Sequence, residues 1–97
     1  MQNITNNHPL FFYSEIKSTW KNQKITRKVA FAGVYDNNTL KIGQSICSEK
    51  DIFDKKKGRL IAQGRANKKP LVTIDLNIHK DKKISDVFVA NCKELLK

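Results

Sequence analysis

The chain reads as an α+β domain: a largely antiparallel β-sheet in the order βββ-α-β-α, with two helices packed on one face. Three observations predict this. The run Val29-Ala30-Phe31-Ala32-Gly33-Val34-Tyr35 is apolar at successive positions, which marks a central strand covered on both sides. Asp36-Asn37-Asn38 follows it directly, and these residue types tolerate the positive φ of a hairpin turn. Residues 71–78 alternate, with Val72, Ile74, Leu76 and Ile78 pointing inward and Thr73, Asp75 and Asn77 outward.

The elements follow in order. Residues 10–19 are aromatic and β-branched and form a first strand. Lys21-Asn22-Gln23-Lys24 is a turn, and residues 25–35 are the second strand. Residues 40–47 make the third, with Leu40, Ile42 and Ile46 on one face. Ser48 then suits a helix N-cap, with Glu49 and Asp51 in the first turn and Cys47 and Ile52 as the apolar staple. A 100° step places Phe53, Leu60, Ile61 and Gly64 on the inner face of this helix. The same step puts Arg59 and Arg65 on the outer side, about 120° apart, with Ala62 between them. Gly58 and Gly64 each weaken a helix by roughly 1 kcal/mol relative to Ala, which suits a close approach to the backbone or a break. Pro70 ends the segment. After the strand at 71–78, residues 80–83 connect to a last helix. Ser85 caps that helix, Ile84 and Val89 staple it, and Phe88, Cys92 and Leu95 form its buried stripe.

Ninety-seven residues suffice for one domain, placed at 10–97 behind a polar, Asn-rich stretch at 1–9 that is expected to be a disordered leader. An apolar fraction of 39% builds a core of limited size, which self-association would supplement. With both helices on one side of a strand that is apolar on two, the other side is left for a partner subunit. A homo-oligomer built from dimers follows. No apolar run is long enough to cross a bilayer and no secretion signal is visible, so no membrane partner is expected. Cys47 and Cys92 stand 45 residues apart with no CxxC, and His8 and His79 are equally scattered. This is neither a disulfide framework nor a metal site, and two buried, reduced thiols in a cytoplasm are the expectation. No P-loop, GxGxxG or HExxH occurs, and the acidic residues form no acid/base pair. Cys47 with His79 could in principle form a nucleophile and base, but a small residue at a strand end just before a helix reads as structural instead. The chain therefore reads as no enzyme, with no cofactor.

Charge gives the functional signal. The formal net charge is +10, and KKKGRLIAQGRANKK at 55–69 carries seven positive charges, no negative one and two Gly-Arg pairs. A cationic segment that also holds Leu60, Ile61 and Ala62 is a folded element, and it points to a phosphate-bearing partner. Arg59 and Arg65 are the leading candidates, since a guanidinium holds phosphate with two parallel donors. Lys56, Lys68 and Lys69 add point charges. Gln63, one turn after Arg59, either contacts a base or ribose edge or stays in solvent. Phe53 either stacks on a base or packs in the core. Tyr13, Trp20 and Tyr35 offer an aromatic rim, and Arg27 with Lys28 is a second, smaller basic pair.

The segment GVYDNNTLKIGQSICSEKDIFDKKKGRLIAQGRANKKP contains the patterns IGxSxCSxKDxF and KKxGRxIAxGRA. Over residues 29–70 it resembles the Thoeris anti-defence proteins of the first type, small proteins of phages and prophages. The resemblance implies an antiparallel sheet with C-terminal helices, assembled from dimers into a larger oligomer in the host cell cytoplasm. It implies a sponge that binds a cyclic ADP-ribose-type immune signal, or a cyclic oligonucleotide, without cleaving it. It also implies Phe53 as the residue stacking on adenine, and Arg59, Gln63 and Arg65 as ribose and phosphate contacts. Near the last helix, Lys80, Lys82 and Lys83 stand where that family uses arginine. The alternative is a basic accessory protein whose helix tracks an RNA or DNA backbone.

Overall fold

Two tight turns set the register of the sheet. Lys21 and Asn22 have φ of 51° and 64°, and Asn37 and Asn38 have 49° and 62°. Paired left-handed residues are the two-residue turn whose twist matches a β-hairpin. The computed structural model describes residues 9–47 and 55–97. Within them the elements are β1 (Leu10–Trp20), β2 (Gln23–Asp36), β3 (Thr39–Ile46), α1 (Lys55–Lys68), β4 (Val72–Asp75), a 3-10 turn (Leu76–His79) and α2 (Ile84–Leu95). The sheet is antiparallel throughout, in the order β1-β2-β3-β4, so the α+β class read from the sequence holds. Residues 1–8 of the expected leader, the Ser48 cap, the staple partner Ile52 and Phe53 lie outside the described residues.

The two helices cover opposite faces of the sheet, which corrects the one-face expectation. On one face Val29, Phe31, Leu40 and Ile42 meet Val87, Phe88 and Cys92 of α2, with Leu10, Phe12, Val72 and Ile74 packed around them. Gly33 lets α2 descend here: a Cβ on it would stand 2.6 Å from Cδ1 of Phe88 and 3.2 Å from Cδ1 of Leu40. The register puts Ala30 beside Ser45 and Ala32 beside Gly43 on the other face. There α1 lies on β2 and β3, and Ala30 and Ala32 are fully buried. The physical reason is in β2 itself. Its centre is apolar at every position, and a single layer of helices hides only half of such a strand. The uncovered side that motivated a partner subunit is thus occupied by α1.

The turning of α1 also departs from the sequence reading. Its buried residues are Gly58, Ala62 and Ala66, four apart along one stripe. Leu60 is 63% exposed and Ile61 37% exposed, so the large apolar side chains point away from the sheet. A Cβ on Gly43 would overlap the Ala62 carbonyl oxygen and the Ala66 amide nitrogen. Helix backbone therefore rests on strand backbone, at a distance where only glycine and alanine fit.

Three local expectations also change. The strand expected over 71–78 stops at Asp75, whose carboxylate accepts the Asn77 N–H at 2.9 Å and turns the chain into the 3-10 segment. Val72, Ile74 and Leu76 still pack on the core, but Ile78 is left exposed. Helix α2 starts at Ile84 with Lys83 at the N-cap and no capping side chain, so Ser85 sits inside the first turn. Its stripe is Val87, Phe88 and Cys92, with Leu95 and, on β3, Ile46 partly exposed.

This packing makes opposite predictions for two glycines. Gly43→Ala forces backbone apart and lowers stability by at least the ~1–3 kcal/mol of an overpacked core. Gly64→Ala meets nothing within 4 Å and raises stability by roughly 0.5–1 kcal/mol, the helix-propensity difference. Urea unfolding of both variants checks the pair.

Candidate functional site

Because Ala62 faces the sheet, the arginines on either side of it fall at the two seams between α1 and the strands. Arg59 reaches toward β1, where its guanidinium carbon lies 5.6 Å from the centre of the Phe11 ring. Lys55, one turn earlier, places Nζ 5.1 Å from the centre of the Tyr13 ring. Both are cation–π contacts on half-buried aromatic side chains. Phe11 and Tyr13 share this face because alternate residues of β1 do, while Leu10 and Phe12 serve the other core.

Arg65 leaves the helix on the opposite flank. Its guanidinium donates to the Gln44 carbonyl at 2.9 Å. That carbonyl lies two residues beyond Ile42, whose oxygen accepts the Leu71 N–H at 2.8 Å where β4 approaches. Arg65 thus caps an edge carbonyl that β4 does not reach. The two arginines expected as phosphate contacts are separated by the width of the helix, and Arg65 is engaged in the fold. Gln63, four residues after Arg59, is half-buried on the Arg59 flank, whereas Lys68 and Lys69 are exposed at the other end. Of the expected site residues, Arg59 and Gln63 stand together. Arg65, Lys68 and Lys69 stand apart from them, and Phe53 is outside the described residues.

A shallow recess of about 250 Å³ opens beside Lys55, lined by Tyr13, Ser14, Glu15, Lys28 and Lys55. Glu15 and Lys28 are cross-strand partners joined by a 2.8 Å ion pair. The Lys28 ammonium, hydrogen-bonded to Glu15, holds its carboxyl below the usual carboxylate range, and Lys17 adds to the effect. The seam therefore offers two helix cations, two aromatic rings and a β2 ammonium that is paired with the Glu15 carboxylate. Phe11 and Lys55 are not among the residues that the sequence pattern singles out. The available signal was the first strand itself, which carries aromatics at both odd and even positions. A strand half-buried on only one face has no use for that pattern.

The pair considered for nucleophilic chemistry is not assembled. Cys47 follows the far end of β3, while the 3-10 turn before His79 is tied to the near end by the bond from Leu76 N–H to the Asn38 carbonyl. The eight residues of β3 separate them by roughly 25 Å at the usual rise per residue. Neither cysteine is in a disulfide. Cys92 is fully buried and its thiol is pushed up to about 12 by burial, whereas Cys47 is only half-buried, which corrects the expectation of two buried thiols. Among the described residues no three His, Cys, Asp and Glu side chains gather into a metal-holding cluster, and no helix is long and apolar enough to cross a membrane.

Comparison of the chain with known protein families, characterised proteins and solved structures finds no match.

The two thiols differ in a measurable way. In the folded protein at pH 8, a thiol-specific reagent modifies Cys47 first. Cys92 stays protonated and shielded until the chain unfolds. Mass spectrometry of the singly modified protein checks the order.

Proposed function

We propose that this protein is a non-catalytic sponge that binds and sequesters a cyclic ADP-ribose-type or cyclic-oligonucleotide signal. The observation that carries the reading is the α1–β1 seam, where Arg59 and Lys55 are poised over the faces of Phe11 and Tyr13 beside a recess containing Lys28. Phosphate asks for the cations, and a base or ribose asks for flat apolar surface next to them. The recess is smaller than the ~300–1,000 Å³ that encloses a drug-sized ligand. It takes a phosphate and its sugar, and the remainder lies along the α1 edge toward Gln63. The likeness of residues 29–70 to the Thoeris anti-defence proteins supports the same class of ligand. Arg65 contributes by fixing α1 on β3, and Lys68 and Lys69 by raising the local positive potential. Self-association belongs to this reading. Leu60, Ile61 and Leu71 are exposed along the outer side and the end of α1, where Gly64 leaves room for close approach.

A second reading, an accessory protein that binds RNA or DNA, is favoured by one observation. The cations of α1 lie exposed on its flanks and outer side and do not converge on a closed cavity.

Calorimetric titration with a cyclic ADP-ribose isomer, a cyclic oligonucleotide and a short single-stranded RNA separates the two. The sponge reading predicts saturable binding of a cyclic nucleotide that is recovered intact. Arg59→Ala weakens it by about 1.5–3 kcal/mol, the range for charge-assisted hydrogen bonds. Arg59→Lys remains impaired because a point charge lacks the two-donor fork. Lys93→Ala, on α2, leaves it unchanged. Light scattering of the same samples is expected to give a mass above the 11.2 kDa of one chain. Binding of RNA alone, with a steep salt dependence and equal losses for arginine and lysine substitutions, selects the second reading.

A further inference from the structure

The β1–β2 hairpin outruns the rest of the sheet. β3 pairs with β2 only from Val29 to Asp36, so among the described residues the pairs from Ile16↔Arg27 to Trp20↔Gln23 have no third strand beside them. The molecule measures 55 Å along its longest axis against 24 and 19 Å across. A two-stranded ribbon is marginal in water without something to pack on. From Ile16 to Arg27 the chain reads IKSTWKNQKITR, with four cations and no acid. Lys17, Lys21, Lys24 and Arg27 are all exposed.

The pairing sorts these residues by face. Lys17 stands opposite Thr26 and Thr19 opposite Lys24, so two ammonium groups and two hydroxyls share one side of the ribbon. With Ser18 they line a shallow recess of about 350 Å³. This is also the side on which α1 lies, so the ribbon extends one basic surface. At the tip Trp20 is 63% exposed, with Nζ of Lys21 5.7 Å from its ring centre.

We propose that this ribbon is an arm that binds the backbone of duplex nucleic acid. The major groove, about 12 Å wide, admits a two-stranded β-ribbon. Lysines and hydroxyls on one face are the groups that contact phosphate and sugar oxygens without reading sequence. Charge chooses this occupant over the others. A second copy of the arm would bring four like charges against four. A bilayer would find one exposed apolar side chain, Trp20, where interfacial anchoring needs an apolar face. The proposal uses no residue of the α1–β1 seam, so it stands or falls apart from the sponge reading.

Trp20 is the single tryptophan of the chain, so its emission reports on the arm alone. The test titrates the protein with a 20-base-pair duplex, and separately with anionic phosphatidylglycerol vesicles, across a range of salt. The expected result is a saturable change in emission with the duplex. Its log K falls against log salt with a slope of about −2 to −3, set by about 0.9 for each phosphate contact of Lys17, Lys24 and, at the tip, Lys21. Lys17→Gln and Lys24→Gln, both at exposed positions, each reduce that slope by about one. Thr19→Lys increases it by a similar amount and tests the same face by gain. Lys93→Ala, exposed on α2 at the opposite face of the sheet, leaves it unchanged. Circular dichroism and the unfolding midpoint verify that each variant is folded. No emission change with duplex at low salt overturns the proposal. So does a response to vesicles alone, or an unchanged slope in the two lysine variants and in Thr19→Lys.

Discussion

Helix α1 rests on the sheet through backbone, and that contact organises the rest of the molecule. Ala62 and Ala66 meet Gly43 with no side chain between them longer than a methyl group, and Gly58 continues the same buried stripe. A close approach of this kind gains little apolar area per residue, but it fixes the rotation of the helix strictly. A turn of 100° in either direction would press Ile61 or Gln63 into Gly43. Once the rotation is fixed, so is everything around it. Arg59 and Lys55 fall over Phe11 and Tyr13, Arg65 falls over the edge carbonyl of Gln44, and Leu60 and Ile61 are presented outward. The candidate site is a by-product of small residues that carry no functional chemistry themselves.

The two faces of the sheet divide the labour. The face under α2 holds the large side chains, Phe31, Phe88, Leu40 and Ile42, and supplies most of the buried apolar area. The face under α1 holds Ala30, Ala32, Val34, Gly43 and Ser45, and positions charge. This division accounts for a helix that carries no acidic residue between Lys55 and Lys68 yet stays docked. Its cations lie at the seams or in solvent, where water and the rings of β1 offset their mutual repulsion.

Much of the fold was legible in the sequence, and the misses share a cause. Asn37-Asn38, the alternation at Val72 and Ile74 and the two-sided run 29–35 each state a local requirement, and each was met. The first turn was tighter than expected because Lys21, a residue with no preference for positive φ, was carried into it by the strand register. The placement of both helices on one face failed because the run 29–35 was read as needing a partner molecule when the chain itself supplied the second cover. The face of α1 was inverted because size was taken as the guide to burial. Alanine and glycine at 58, 62 and 66 have the period of a buried stripe, but they read as buried only once the strand beneath them is known to offer Gly43. Phe11 and Lys55 were missed for the same reason: the seam they share exists only after that rotation is set. Arg59 and Gln63 were recoverable because charge and spacing within one helix suffice to pair them.

The proposed nucleotide site is the α1–β1 seam, and the aromatic rings there would report its occupancy directly. Proton NMR of the aromatic side chains, followed while a cyclic ADP-ribose isomer is added, is the measurement. Displacement of Arg59 and Lys55 from their rings predicts saturable shifts of the Phe11 and Tyr13 resonances, with Phe88 in the opposite core unmoved. Shifts confined to Trp20, or no shift at a ligand excess that saturates calorimetric binding, would contradict it.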